Sequence, residues 1–125
     1  MFGIANGVDM IKIDRLTRLD LTIKQRFIAR VFTELEIEAC AGKDASLAGR
    51  FAAKEAAAKA LGCGIGSVGW KDIETLSDDQ GRPLLLLHNA ARKRAEQAGW
   101  FSWSISISHT AEYAVATVTA LYEQM

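Results

Sequence analysis

Between Ser46 and Leu61 lies the segment that most restricts the fold. It carries seven alanines, at 48, 52, 53, 56, 57, 58 and 60, and stops at Gly62-Cys63-Gly64-Ile65-Gly66. Alanine is the strongest helix former, and a glycine after the last turn supplies a C-cap and a tight loop. At about 100° per residue, Leu47, Phe51, Lys54, Ala58 and Leu61 share one sector; Glu55 and Lys59 flank it on one side and Arg50 on the other. Alanine nearly all round lets neighbours approach the backbone from several directions, as in a central packed helix. The four charges on such a helix need partners, because buried unpaired charge is costly.

The flanking segments read as follows. Phe2 to Val8 reads as a strand ending at Asp9, and Met10 to Leu21 as helical, with Met10, Ile13 and Leu16 in register. Thr22 reads as the N-cap of a helix through Phe27, Ile28 and Val31. Thr33-Glu34-Leu35-Glu36 is a capping box, opening a helix that runs to about Cys40 and ends at Gly42. Val68 to Leu76 and Pro83 to Leu87 read as strands, and His88 to Ala98 as a helix closed by Gly99. From Phe101 to Ser108 apolar residues and serines alternate, which predicts a half-buried strand; Tyr113 to Leu121 returns as its hairpin partner. Helices cluster between strands rather than alternating with them. That favours an α+β class, an antiparallel sheet on a long central helix, in one domain over 1–125.

Composition narrows the function classes. Of 125 residues 50% are hydrophobic and the net charge is zero, which excludes disorder and argues against bulk nucleic-acid binding. Cys40 and Cys63 are too few for a disulfide scaffold. No apolar run is long enough for a membrane span, and the N-terminus lacks a signal peptide's pattern, so the expected setting is cytoplasmic. Charge is nonetheless blocked: residues 1–30 carry six Lys or Arg against three Asp, and residues 31–48 four acids against one Lys. Such blocks either steer a charged partner or are plain solvated surface.

Each candidate residue has a bland reading beside its functional one. Asp9, at a strand end, suits a helix N-cap. Glu55 and Lys59 form an i,i+4 pair, a helix salt bridge worth about 0.2–0.5 kcal/mol. In a packed helix the same carboxylate also suits a metal, and the lysine a phosphate. The glycine cluster is a helix stop or a backbone cradle, but no Lys-Ser or Lys-Thr follows it as in a Walker loop. His109 follows an amphipathic strand, where functional groups concentrate. His88 opens a helix without companions. The cysteines lack the spacing and histidines of a zinc site.

In order along the chain, these residues resemble a known family. The motifs are Gly7-Val8-Asp9 with Ile13 and Arg15, Phe32-Thr33-x-x-Glu36, Gly49-Arg50-Phe51-Ala52-Ala53-Lys54-Glu55-Ala56-x-x-Lys59-Ala60-Leu61-Gly62, and Ser106-Ile107-Ser108-His109-Thr110. Together they resemble the holo-[acyl-carrier-protein] synthases, the small bacterial type of 4′-phosphopantetheinyl transferase, over essentially the whole chain. The second glycine-loop position holds Cys63 where the family commonly has threonine.

The resemblance implies transfer of the phosphopantetheine arm of coenzyme A to a serine of apo acyl carrier protein, releasing adenosine 3′,5′-bisphosphate, for fatty acid or polyketide synthesis. It implies Asp9 and Glu55 as ligands of Mg²⁺, with Mn²⁺ equally suited to oxygen donors, and Lys59 on the phosphates or leaving group. Arg50 and His109 with Thr110 are expected around the coenzyme A nucleotide, and Gly62, Gly64, Gly66 and Pro83 on its adenine side. The proton acceptor for the serine is Glu55, a water near it, or a carboxylate of the carrier protein. The basic Arg15, Arg18, Lys24 and Arg26 are expected to face the acidic carrier protein, and the chain to form a homotrimer. Two rival readings stand beside this one: an inactive nucleotide- or carrier-binding module of the same fold, and a purely structural assembly protein.

Overall fold

The computed structural model describes residues 1–125. Five helices and five strands follow the order β1 (Phe2–Lys12), α1 (Asp14–Thr17), α2 (Leu21–Val31), α3 (Glu34–Cys40), α4 (Asp44–Ala60), β2 (Ile73–Ser77), β3 (Pro83–Leu87), α5 (Asn89–Gln97), β4 (Trp100–His109) and β5 (Tyr113–Glu123). A three-stranded antiparallel sheet runs β1-β5-β4, and β2 and β3 form a separate hairpin. The class is α+β, with α4 laid across the larger sheet. Alanines 48, 52, 53, 56, 57 and 58 are all buried. No helix is long and apolar enough to cross a membrane.

Two glycines set how closely α4 approaches the sheet. A Cβ on Gly7 would lie 2.0 Å from the Ala56 carbonyl oxygen and 2.9 Å from the Ala60 nitrogen, and one on Gly49 would lie 2.8 Å from the Ile107 side chain. At Gly7 the obstacle is backbone, which cannot rotate away. Gly7→Ala therefore forces the helix off β1. We expect about 2–3 kcal/mol of lost stability, read as a fall in Tm of roughly 10 °C; an unchanged Tm would mean that the close approach is not required.

Several local readings shift. β1 does not end at Val8 but continues to Lys12, so Asp9 lies inside a strand opposite Ala116 and caps no helix. The helical spacing of Met10, Ile13 and Leu16 loses to pairing with the equally long β5, which leaves α1 four residues long. The N-cap of α2 is Asp20, whose carboxylate accepts the Thr22 amide at 3.1 Å; Thr22 is a first-turn donor. A 3₁₀ turn at Trp70–Asp72 takes the front of the expected Val68–Leu76 strand. In β4, a register shift between Trp100 and Ser102 turns Phe101 out to solvent, so Ile105 and Ile107 keep the inward stripe without it. The capping box at Thr33 and Glu36 forms as the sequence predicts.

The outer face of the larger sheet is open and carries exposed apolar residues on β1 and β5, around a polar Asn6–Thr119 pair. Paired residues Ile4 and Leu121, then Met10 and Val115, run across it with Val8 between; Ile4 is 68% and Met10 64% exposed. The serines of β4, from Ser102 to Ser108, continue the same rows.

A polar network joins the α3 and β2 side of the molecule. Thr33 donates its hydroxyl to Glu74 at 2.6 Å, and the His88 ring lies 3.0 Å from the other Glu74 oxygen. Burial alone raises the Glu74 pKa, but the hydrogen bonds from Thr33 and His88, with the charges of His88 and Lys54, outweigh it and hold the carboxyl below its ordinary 4.5. A depressed carboxyl stabilises the fold above its unfolded pKa, and that contribution is lost as pH falls through the folded value. Urea midpoints should thus decline below pH about 4.5, and the decline should be shallower in Glu74→Gln. An equally steep acid limb in that variant would exclude Glu74 as its source.

Candidate functional site

The extended β1 and the close approach at Gly7 bring Asp9 to the flank of α4. Asp9 shares the inward side of β1 with Gly7 and Ile11, the side packed on the helix. Lys59, in the last turn of α4, donates to the Val8 carbonyl at 2.9 Å and to Asp9 Oδ1 at 3.1 Å. Glu55 stands one helical turn earlier on nearly the same side. Its carboxyl pKa is raised, first by burial and then by the negative charge of Asp9, with Lys59 acting against both. Two carboxylates therefore share one corner with a single ammonium between them.

That donor chemistry fits a divalent cation. The charge imbalance is what a hard cation relieves, and Mg²⁺ takes one or two carboxylates while leaving its other positions to water and substrate phosphate. Within one chain no third His, Cys, Asp or Glu joins these two carboxylates to make a group of three.

A second feature lies at the other end of α4. A cleft of about 380 Å³ is lined by Arg50 and His109, by Gly81 and Pro83, and by Lys43 and Ser46. The N-cap of α4 is Lys43, which makes no capping hydrogen bond, so the positive end of the helix is left without a side-chain acceptor. Arg50 is fixed by its Nε to the Thr75 carbonyl (3.1 Å) and by Nη1 to Ser46 Oγ (2.6 Å). Cations gathered at an uncapped helix start suit a phosphate. Lys43 and Ser46 were not among the sequence candidates; the available signal was Lys43 just ahead of the helix that carries Arg50.

Other candidates fall elsewhere. The Thr110 hydroxyl accepts the amides of Glu112 and Tyr113 at 3.2 and 3.0 Å, so it closes the β4–β5 turn and does not line the cleft. Gly62, Gly64 and Gly66 lie beyond the C-terminus of α4, away from the cleft, with open space where each Cβ would stand. Gly62 and Gly66 have φ of 72° and 129°, which requires glycine for the turn itself. Among the basic residues, Arg15 and Arg26 are exposed, while Arg18 lies 3.5 Å from Asp14. Lys24 is folded back onto Asp44 at 2.6 Å, which lowers the Asp44 pKa and removes Lys24 from any free positive face.

Within one chain the two features look apart. Arg50 and Lys59 are nine residues apart, about 180° around an α-helix, whereas Glu55 and Lys59 are about 40° apart.

Comparisons with known proteins show what the whole chain is similar to. Residues 5–118 match a family profile described as the 4′-phosphopantetheinyl transferase superfamily. A holo-[acyl-carrier-protein] synthase of Herpetosiphon aurantiacus is 46% identical over 125 residues, covering 94% of this chain and 98% of that protein. One from Moorella thermoacetica is 47% identical over 115 residues, covering 88% of each. The crystal structure of the Helicobacter pylori holo-[acyl-carrier-protein] synthase in complex with coenzyme A superposes with a TM-score of 0.83 at 34% identity, covering 92% of this chain and 98% of that one.

Proposed function

The chain belongs to the 4′-phosphopantetheinyl transferase superfamily, and on that footing we propose that it moves the 4′-phosphopantetheine arm of coenzyme A onto a serine of apo acyl carrier protein. The observation that carries the reading is the corner of Asp9, Glu55 and Lys59 on α4, with a cationic cleft on the same helix.

In this reaction the serine oxygen attacks the phosphorus that bears the pantetheine. The bond from that phosphorus to the bridging oxygen breaks, and adenosine 3′,5′-bisphosphate leaves with the electron pair. Such transfers depend on positioning and on neutralising spread charge. Asp9 and Glu55 are the residues to hold Mg²⁺, or Mn²⁺ in the same oxygen set. When bound, the ion neutralises the diphosphate. Lys59 places an ammonium one turn from Glu55 for the phosphates. Glu55, its pKa raised, is the residue of this corner best matched to take the serine proton. Arg50, His109 and Lys43 hold the phosphates of the nucleotide end.

The opposed directions of Arg50 and Lys59 favour a site shared between copies, with the carboxylate corner of one chain facing the cationic cleft of another. The open apolar sheet face, with Ile4, Val8, Met10 and Leu121 exposed, is the surface for that assembly, read here as a homotrimer. One domain over 1–125 and a cytoplasmic setting complete the reading; the free thiols of Cys40 and Cys63 accord with a reducing compartment.

Release of adenosine 3′,5′-bisphosphate tests the activity. It should require coenzyme A, Mg²⁺ and an apo carrier protein together, and release that ignores the carrier would point to hydrolysis. The carrier surface has its own test. Reversing exposed Arg15 and Arg26 to glutamate should raise the carrier-protein KM about 10-fold or more at low salt and spare the KM for coenzyme A. An unchanged carrier KM would remove these residues from the docking face.

A further inference from the structure

Three charged side chains stand along the free edge of β2 where a neighbouring strand would otherwise be. Its other edge pairs with β3. The Ile73 carbonyl accepts from Lys54 Nζ. Two residues on, the Thr75 amide donates to Glu36 Oε2 at 2.9 Å, and the Thr75 carbonyl accepts from Arg50 Nε at 3.1 Å. The Thr75 hydroxyl adds a bond to the same Glu36 oxygen at 3.2 Å. Lys54 and Arg50 are one turn apart on α4, so one face of the helix grips two successive carbonyls of this edge.

Glu36 and Lys54 are both wholly buried. Glu36 Oε1 takes Lys54 Nζ at 2.8 Å and the Thr33 amide at 2.9 Å, and Lys54 also donates to the Trp70 carbonyl at 3.0 Å. A buried ion pair of this kind is a weak device for stability, because apolar residues of similar volume commonly serve as well or better. What the pair does here is hold the Thr75 peptide in place. That peptide carries the carbonyl that orients Arg50 into the cleft, with Ser46 as the second anchor.

We propose that Glu36, held by Lys54, is a positioning residue for substrate selection: it fixes the Thr75 peptide, which aims the Arg50 guanidinium at the 3′-phosphate of coenzyme A. The inference rests on the reading of the cleft as the nucleotide site. Neither Glu36 nor Lys54 touches the substrate.

The test compares kcat/KM for coenzyme A with that for 3′-dephospho-coenzyme A. A structural fault that merely lowers the active fraction leaves the ratio unchanged, whereas misaiming Arg50 lowers it. Glu36→Leu with Lys54→Met removes both charges together, so neither is left unpaired. We expect this variant to lose about 10-fold in the preference for coenzyme A, and to add nothing further when combined with Arg50→Ala. An unchanged preference, while Arg50→Ala abolishes it, overturns the positioning role and leaves the nucleotide reading intact. A preference that survives Arg50→Ala overturns the assignment of the 3′-phosphate to Arg50, and with it the positioning role. Should the paired variant not fold, Thr75→Val removes only the hydroxyl rung; a roughly 2- to 3-fold loss of preference is then expected, and none overturns the inference.

Discussion

Glu55→Gln should cut the transfer rate at neutral pH by about 10³-fold while leaving Tm unchanged or higher. The two halves of this expectation have one cause. Burial, and then the charge of Asp9, raise the Glu55 pKa, so the ionised carboxylate is held against the preference of its surroundings. A group whose folded pKa is raised opposes folding in its ionised form, and a neutral amide of the same shape relieves that opposition. Chemistry suffers because the amide supplies neither the second negative ligand for a divalent cation nor a proton acceptor. Asp9→Asn should fall by a similar factor, since Lys59 then loses the carboxylate it now meets at 3.1 Å. Steady-state transfer assays paired with thermal melts decide the matter. Activity within about 10-fold of wild type in Glu55→Gln would remove this corner from the chemistry.

A mixture of two impaired proteins should recover activity. Arg50 and Lys59 project from opposite sides of α4, so Asp9→Asn and Arg50→Ala would damage different halves of the proposed shared site. Each homo-oligomer alone should turn over far more slowly than wild type. After random subunit exchange, about one quarter of the shared sites pair an intact carboxylate corner with an intact cleft, so about one quarter of wild-type activity should return. A site contained within one chain returns none. Adding Ile4→Asp to both proteins should abolish the recovery, because it places a charge on the exposed outer face of β1, on the opposite side of the strand from Asp9 and away from the Lys59 contacts. Recovery that persists, with both variant proteins still oligomeric, would separate the sheet face from assembly.

Legibility in the sequence followed the range of the forces involved. The capping box, the central helix and the final hairpin are decided within a few residues, by side-chain oxygens, alanine propensity and strict alternation, and all three form. Asp9 reads locally as a strand end because Met10, Ile13 and Leu16 favour a helix after it, whereas β5, more than a hundred residues away, extends β1 past it. The same distance hides the Lys54–Glu36 pair. A lysine within the apolar sector of α4 announces that it needs a partner, but not which one, and the partner sits on another helix. Lys24 shows the converse error. In sequence it belongs to a basic block, yet in space Asp44 neutralises it. Charge counted along a chain does not identify a charged face, since pairing across elements decides what remains free.

The most direct test is the mass of the carrier protein itself. Incubated with this chain, coenzyme A and Mg²⁺, an apo acyl carrier protein should gain the mass of one phosphopantetheine on its serine. Glu55→Gln should leave it unmodified over the same interval. A wild-type chain that binds coenzyme A yet leaves every carrier protein tested at its apo mass would contradict the transfer function.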